Sequence, residues 1–109
     1  MATNTFKSYA SKNVGTSAAT VYTCPASTQT TLIGLSMANT GTAPITTDAY
    51  ITRSAVNYYL VKGATVPVGG SLVIVGGDQK VVMQAADVLY IVNSAVTSGD
   101  CFASLLEIS

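Results

Sequence analysis

The sequence predicts an all-β fold, an antiparallel β-sandwich of about eight short strands. Three observations predict it. Apolar and polar residues alternate with a period of two through one run after another. Gly, Pro, Asn and Ser punctuate those runs at intervals of roughly ten residues. Charged residues are only 9% of the 109-residue chain, against about 25% in an average soluble domain. Thr, Val, Ala, Ser and Gly stand in their place, a mix that suits a pleated, closely packed surface.

The first clear strand is expected at residues 20–24, where Pro25 stops it because proline has no N–H for a central ladder. Residues 30–39 follow, with Ile33, Leu35 and Met37 on one face and Leu32, Gly34, Ser36 and Ala38 on the other. Asn39-Thr40-Gly41-Thr42-Ala43-Pro44 is a turn cluster in which Asn39 and Gly41 adopt positive φ at low cost. Residues 45–53 resume the alternation, and Ser54-Ala55 is short enough for a tight hairpin into residues 56–62. Residues 63–70 are a loop carrying Pro67, and strands at 71–75, 80–83, 88–93 and 101–108 complete the set.

Val81, Ala85, Val88 and Val92 also fit a helical stripe. The valines around them are stiff at χ1, and Asp87 sits mid-segment, so strand-turn-strand is the reading taken. Ile33, Leu35, Leu72, Ile74, Leu89, Ile91, Leu105 and Leu106 are the expected core. The connections fit a jelly roll as one option. Size points to a single sandwich domain over residues 14–109, preceded by an arm at 1–13 that is either frayed or reaches a neighbouring subunit.

The formal net charge is zero. Lys7, Lys12, Arg53, Lys62 and Lys80 are scattered among Asp48, Asp78, Asp87, Asp100 and Glu107, leaving no basic cluster for a phosphate backbone. Nucleic acid is therefore not an expected partner. No apolar stretch is long enough for a membrane-spanning helix. The opening MATNTFKSYASKN lacks the apolar core of a secretory signal, so synthesis in the cytoplasm without a leader is expected. Cys24 and Cys101 match no zinc or CxxC spacing. They read as buried free thiols, or as one disulfide between an early strand and the last one.

The stretch GGSLVIVGGDQK has the look of a phosphate loop. A phosphate loop needs GxxxxGK[ST] opening into a helix, whereas here Asp78 and Gln79 separate Lys80 from the glycines and VVM follows. Gly69-Gly70 and Gly76-Gly77-Asp78 therefore punctuate the two ends of one strand. With no histidine in the chain, Ser-His and Cys-His pairs and histidine-bound metals are excluded. The carboxylates read as turn formers, so no enzyme, cofactor, metal or small-molecule substrate is expected. The residues expected to bind partners are the arm anchors Phe6 and Tyr9 together with Tyr50, Tyr58 and Tyr59, since tyrosine is enriched in interface cores.

The order of pieces then resembles a known group. TVYTCPASTQTTLIGLSMANTGTAPITTDAYITR, YYLVKGATVPVGGSLVIVGGDQKVVMQAADVLYIVNS and a closing SLLEIS resemble small virion proteins of tailed bacteriophages. In those, "VYT-P" leads to a "GLS-AN" strand, then to "YLVK--PVP-GGSL" and "GGD-K-VL--GD-L-V". Ala86-Asp87 stands where the pattern has Gly-Asp, which counts against a tight positive-φ turn there. The resemblance implies a β-sandwich virion component, on the capsid as a decoration or cement protein, or at the neck, tail or fibre. It implies a homo-oligomer, a trimer being the favoured order, that docks on the major capsid protein. An alternative of another class is a carbohydrate- or receptor-binding module at a fibre tip, with Tyr50, Tyr58 and Tyr59 as its platforms.

Overall fold

The computed structural model describes residues 3–76 and 80–109. Its strands are β1 (Asn4–Val14), β2 (Ala19–Thr23), β3 (Gln29–Asn39), β4 (Ile45–Arg53), β5 (Val56–Val66), β6 (Ser71–Val75), β7 (Val81–Met83), β8 (Val88–Asn93) and β9 (Gly99–Ile108). No helix forms among the described residues. Each expected run is a strand, and the ninth is β1, which occupies the stretch expected as an arm. That stretch is extended, and its partner is the chain's own β9, from Asn4 opposite Ile108 to Val14 opposite Gly99.

The pairing is nested. β4 turns into β5, β3 pairs with β6 and β7, β2 with β8, and β1 with β9. The first half of the chain is thus one long antiparallel partner of the second half. Successive pairs fall in alternate layers, one sheet ordered β1-β9-β3-β6 with β7 also on β3, the other β2-β8-β4-β5. This antiparallel two-sheet connectivity is a jelly roll. β6 covers Leu35 to Ala38 of β3 and β7 covers Thr30 to Leu32, so two short strands share one edge.

The turns follow the chemistry of their residues. Ser54 and Ala55 take φ of 53° and 63°, the left-handed pair that a two-residue hairpin requires. Gly69 takes φ of 71° and the Gly70 amide donates to the Pro67 carbonyl at 3.0 Å, so the first glycine pair turns the chain. Gly77 and Asp78 of the second lie outside the described residues. Asn39 and Gly41 stay out of the left-handed region; the Asn39 side chain shapes that turn instead. It donates to the Ala43 and Val66 carbonyls at 2.9 and 3.1 Å and accepts from the Gly41 amide at 2.9 Å. Ala86 does adopt φ of 72°, the value a glycine would have taken, in the turn where the Asp87 amide donates to the Gln84 carbonyl.

The core departs from simple alternation at one bulge. Leu32 pairs with Leu105 and Gly34 with Ser104, so Ile33 has no opposite residue on β9. The extra residue shifts the phase of the pleat and lets Leu32, Leu35 and Met37 all point inward. Ile33 is only partly buried for that reason. Leu35, Leu89, Ile91 and Leu105 are buried as expected, while Leu72 and Ile74 pack against the core without being enclosed. Leu106 stands on the outer face, partly buried, because it alternates with Leu105. Each enclosed large side chain contributes roughly 1.5–3 kcal/mol relative to exposure.

Polar groups tie the layers together. The Tyr22 hydroxyl donates to Glu107 at 2.5 Å, so its 2.8 Å partner Thr30 donates in turn. Lys7 lies 3.0 Å from the other Glu107 oxygen. These bonds hold the Glu107 carboxyl below its ordinary 4.5, the Tyr22 hydrogen bond first and the Lys7 bond second. Burial, then the adjacent carboxylate, pushes the Tyr22 phenol up. Arg53 grips Asp87 through Nε and Nη2 and holds its carboxyl below the ordinary 3.8. The Asn13 amide and Lys12 do the same for Asp100. Both thiols are free and buried, and burial pushes the Cys101 thiol up to about 12.

These features fix three expectations. A Cβ at Gly99 would fall 2.7 Å from Asn93 Nδ2 and 2.8 Å from the Ala38 carbonyl, and against the Met37 sulfur. Gly99→Ala should therefore cost about 2–3 kcal/mol in chemical denaturation. Replacing Ser54-Ala55 by Asn-Gly relieves a left-handed alanine and should raise Tm by about 4 °C or more. The third concerns acid. Glu107, Asp87 and Asp100 have depressed folded pKa values, so as pH falls the unfolded chain takes up protons first. Stability is whole above about pH 5 and is lost progressively below it as the folded carboxyls protonate. Melts from pH 7 to pH 3 should be flat and then fall; a constant Tm down to pH 3 contradicts the role given to these bonds.

Candidate interaction surfaces

Among the described residues, the charged side chains of the interior are held in framework bonds. The described carboxylates are each committed to the framework, Asp48 to the Gly63 amide at 2.6 Å and the others to the bonds above. No group of three His, Cys, Asp or Glu side chains could hold a metal among the described residues. A depression of about 230 Å³ opens between β5 and β7, lined by Ile51, Tyr58, Leu60 and Val81. Its one charged lining group, Arg53, is spent on Asp87. The chemistry that this chain exposes is on the outer faces of its two sheets.

On the β2-β8-β4-β5 sheet, Tyr50 is opposite Tyr59 on one side and Tyr90 on the other. Strand alternation brings all three out of the same face, where the Tyr50 ring lies 5.0 Å from that of Tyr59 and 5.4 Å from that of Tyr90. The Lys62 ammonium sits 4.4 Å from the Tyr59 ring centroid, a cation–π contact that caps the row. Burial, then the neighbouring phenols, raises the Tyr50 pKa. Tyr50 stacks on Tyr90 with 29° between the ring planes and is tilted 46° to Tyr59, so the three rings and Lys62 form one continuous row.

The other expected anchors lie elsewhere. Tyr58 alternates with Tyr59 and lines the β5–β7 depression, 57% exposed. Tyr9 leans inward on Tyr22, ring centroids 5.3 Å apart. Phe6 stands on the outer face of the β1-β9-β3-β6 sheet. The structure therefore joins Tyr50 with Tyr59, adds Tyr90, and separates Tyr58, Tyr9 and Phe6 from them and from one another.

The outer face around Phe6 is apolar, and sequence reading did not find it. Register places Phe6, Leu106, Thr31 and Val82 in one row across the sheet, and Ala10, Phe102, Ser36 and Val73 in another. Between them lies a row of small residues, Ser8, Ser104 and Gly34. Phe6 is 76% exposed, Val73 66%, Val82 59% and Phe102 52%. Alternation within β9 marks Phe102 as facing away from buried Cys101 and Ala103. Which strands flank it is a matter of long-range pairing.

No family model matches the chain, and no curated protein matches it. Among solved structures, the fold is similar to a protein of Bacillus endospore appendages, described as a family of disulfide-linked pili. That match has a TM-score of 0.59 and 17% identity, over 97% of this chain and 86% of that one. It is also similar to a chain of the T13 particle of infectious bursal disease virus, with a TM-score of 0.58 and 9% identity over 96% of this chain. A chain of the Gt strain of that virus gives 0.50 and 9% over 99%. This chain spans 30% and 32% of those two viral chains. At these identities the likeness is one of fold, and it places an all-β sandwich found in pilus and virus-particle proteins here.

Proposed function

We propose that this chain is a non-enzymatic structural component of a virus particle, acting through surface complementarity. The observation that carries the reading is a jelly-roll sandwich whose two outer sheet faces expose aromatic and apolar side chains, in a chain with 9% charged residues. Sandwiches that stay monomeric keep such patches small and guard their faces with charge. The similar folds in a pilus protein and in a virus-particle chain support an assembling role. The sequence resemblance to small tailed-phage virion proteins supports the finer reading of a capsid decoration or cement protein. In that role the chain forms a homo-oligomer, with a trimer as its smallest ring, and docks on the major capsid protein. The Tyr59-Tyr50-Tyr90 row is the docking anchor in this scheme, and a neck, tail or fibre position uses the same chemistry on a different neighbour.

The similar endospore appendages are disulfide-linked pili, whereas Cys24 and Cys101 are both free and buried here. Association in this chain is therefore non-covalent. Light scattering on the purified protein should give a multiple of 11.1 kDa, identical with and without reductant. Capsid shells should sediment the protein, and Tyr50→Ala with Tyr59→Ala should abolish that while the fold remains. A monomer that binds no shell but binds glycans on an array would favour the receptor-binding module instead.

A further inference from the structure

We infer that the outer face of the β1-β9-β3-β6 sheet is a self-association surface, on which a second copy packs sheet to sheet about a two-fold axis. The inference rests on the assembling role proposed above and specifies which surface meets which partner.

Four properties of the face argue for a copy of itself. It exposes apolar side chains, Phe6 and Val82 at one end and Phe102 and Val73 toward the other, with the small residues Ser8, Ser104 and Gly34 between them. Among the described residues on these strands, Lys12 and Asp100 neutralise each other on this side at 3.1 Å, and Lys7, which reaches a hollow of the same face, is paired with Glu107 at 3.0 Å. Two such faces therefore meet without like-charge repulsion and without stranding an ion.

Its relief is self-complementary. Phe102 forms a ridge between two shallow hollows. One, of about 290 Å³, is lined by Phe6, Lys7, Ser8, Ile33 and Ser104; the other, of about 320 Å³, by Ala10, Lys12, Ser36, Ala38 and Asp100. Ridge and first hollow are two residues apart on β9. A two-fold axis in the interface plane, crossing β9 at Ala103, seats each Phe102 over the partner's Ser104. An isologous contact requires this reciprocity.

The area also suffices. β1, β9 and β3, each ten or eleven residues long, with β6 and β7 sharing the fourth position, lie about 4.8 Å apart and present a face of roughly 600 Å². Two faces bury on the order of 1,200 Å², the lower bound of specific protein interfaces. Sheets stacked this way sit about 10 Å apart, the spacing already used inside the sandwich.

The test is solution mass over a concentration series, by sedimentation equilibrium, on wild type, Phe102→Asp and Val96→Asp. Val96 lies in the β8–β9 loop, is 70% exposed, and controls for adding an acid to a surface apolar site. Wild type should have an even multiple of the 11.1 kDa chain mass, either a dimer or two rings face to face. Phe102→Asp should halve that mass or weaken association by more than about 100-fold, with Val96→Asp unchanged. Should Phe102→Asp fail to fold by circular dichroism, Val73→Lys, 66% exposed on the same row, gives the same readout. A wild-type trimer, or a mass untouched by Phe102→Asp, overturns this assignment while the oligomeric structural reading stands. A monomeric wild type overturns it too. If Phe102→Asp then also loses capsid sedimentation, the face belongs to the capsid partner.

Discussion

The ladder between β3 and β9 is the interaction on which the rest of the structure depends. It joins residues near the start of the chain to its last strand, from Gln29 opposite Ile108 to Asn39 opposite Gly99. β1 hangs on one side of it, and β6 and β7 on the other. Its bulge at Ile33 sets which leucines enter the core, and its Gly99 end admits no side chain. Such long-range pairing is entropically costly to form, because the loop between the partners must close first. The nested order of hairpins lowers that cost: once β4 and β5 are joined at Ser54-Ala55, each outer pair closes a loop already shortened by the pair inside it.

Scarcity of charge has opposite consequences inside and outside. Inside, the few charged groups each gather more than one partner. Glu107 draws Lys7, Tyr22 and Thr30 into one network, and Asp87 holds Arg53 and the Gln84 amide at the far end of β4. Outside, few charges remain to guard the sheets. One face answers with a row of tyrosines closed by Lys62, and the other leaves phenylalanine and valine in water. A fold with two such faces has a physical reason to assemble, since water is more easily excluded from them by protein than ordered around them.

Within a strand, a side chain's direction follows from a period of two and needs no partner, so much of the molecule was legible in advance. The alternation predicted the runs of β2 through β9, the hairpin at Ser54-Ala55, and the opposite directions of Tyr58 and Tyr59. The candidate surface was legible only in part, because Tyr50 and Tyr59 could be named as outward residues but not as neighbours.

Proximity between strands was decided by the tertiary structure. Only the register of β4 against β5 and β8 stacks Tyr50 between Tyr59 and Tyr90. The segment at 4–14 is mostly polar and carries no strand signal of its own; it becomes β1 because β9 has an open edge whose amides and carbonyls need partners. Ile33 was expected inside and stands out because a single unpaired residue reverses the pleat, and a bulge arises from two strands together. What one strand does alone, its own residues determine; what two strands do together depends on pairing across the whole chain, which local chemistry does not encode.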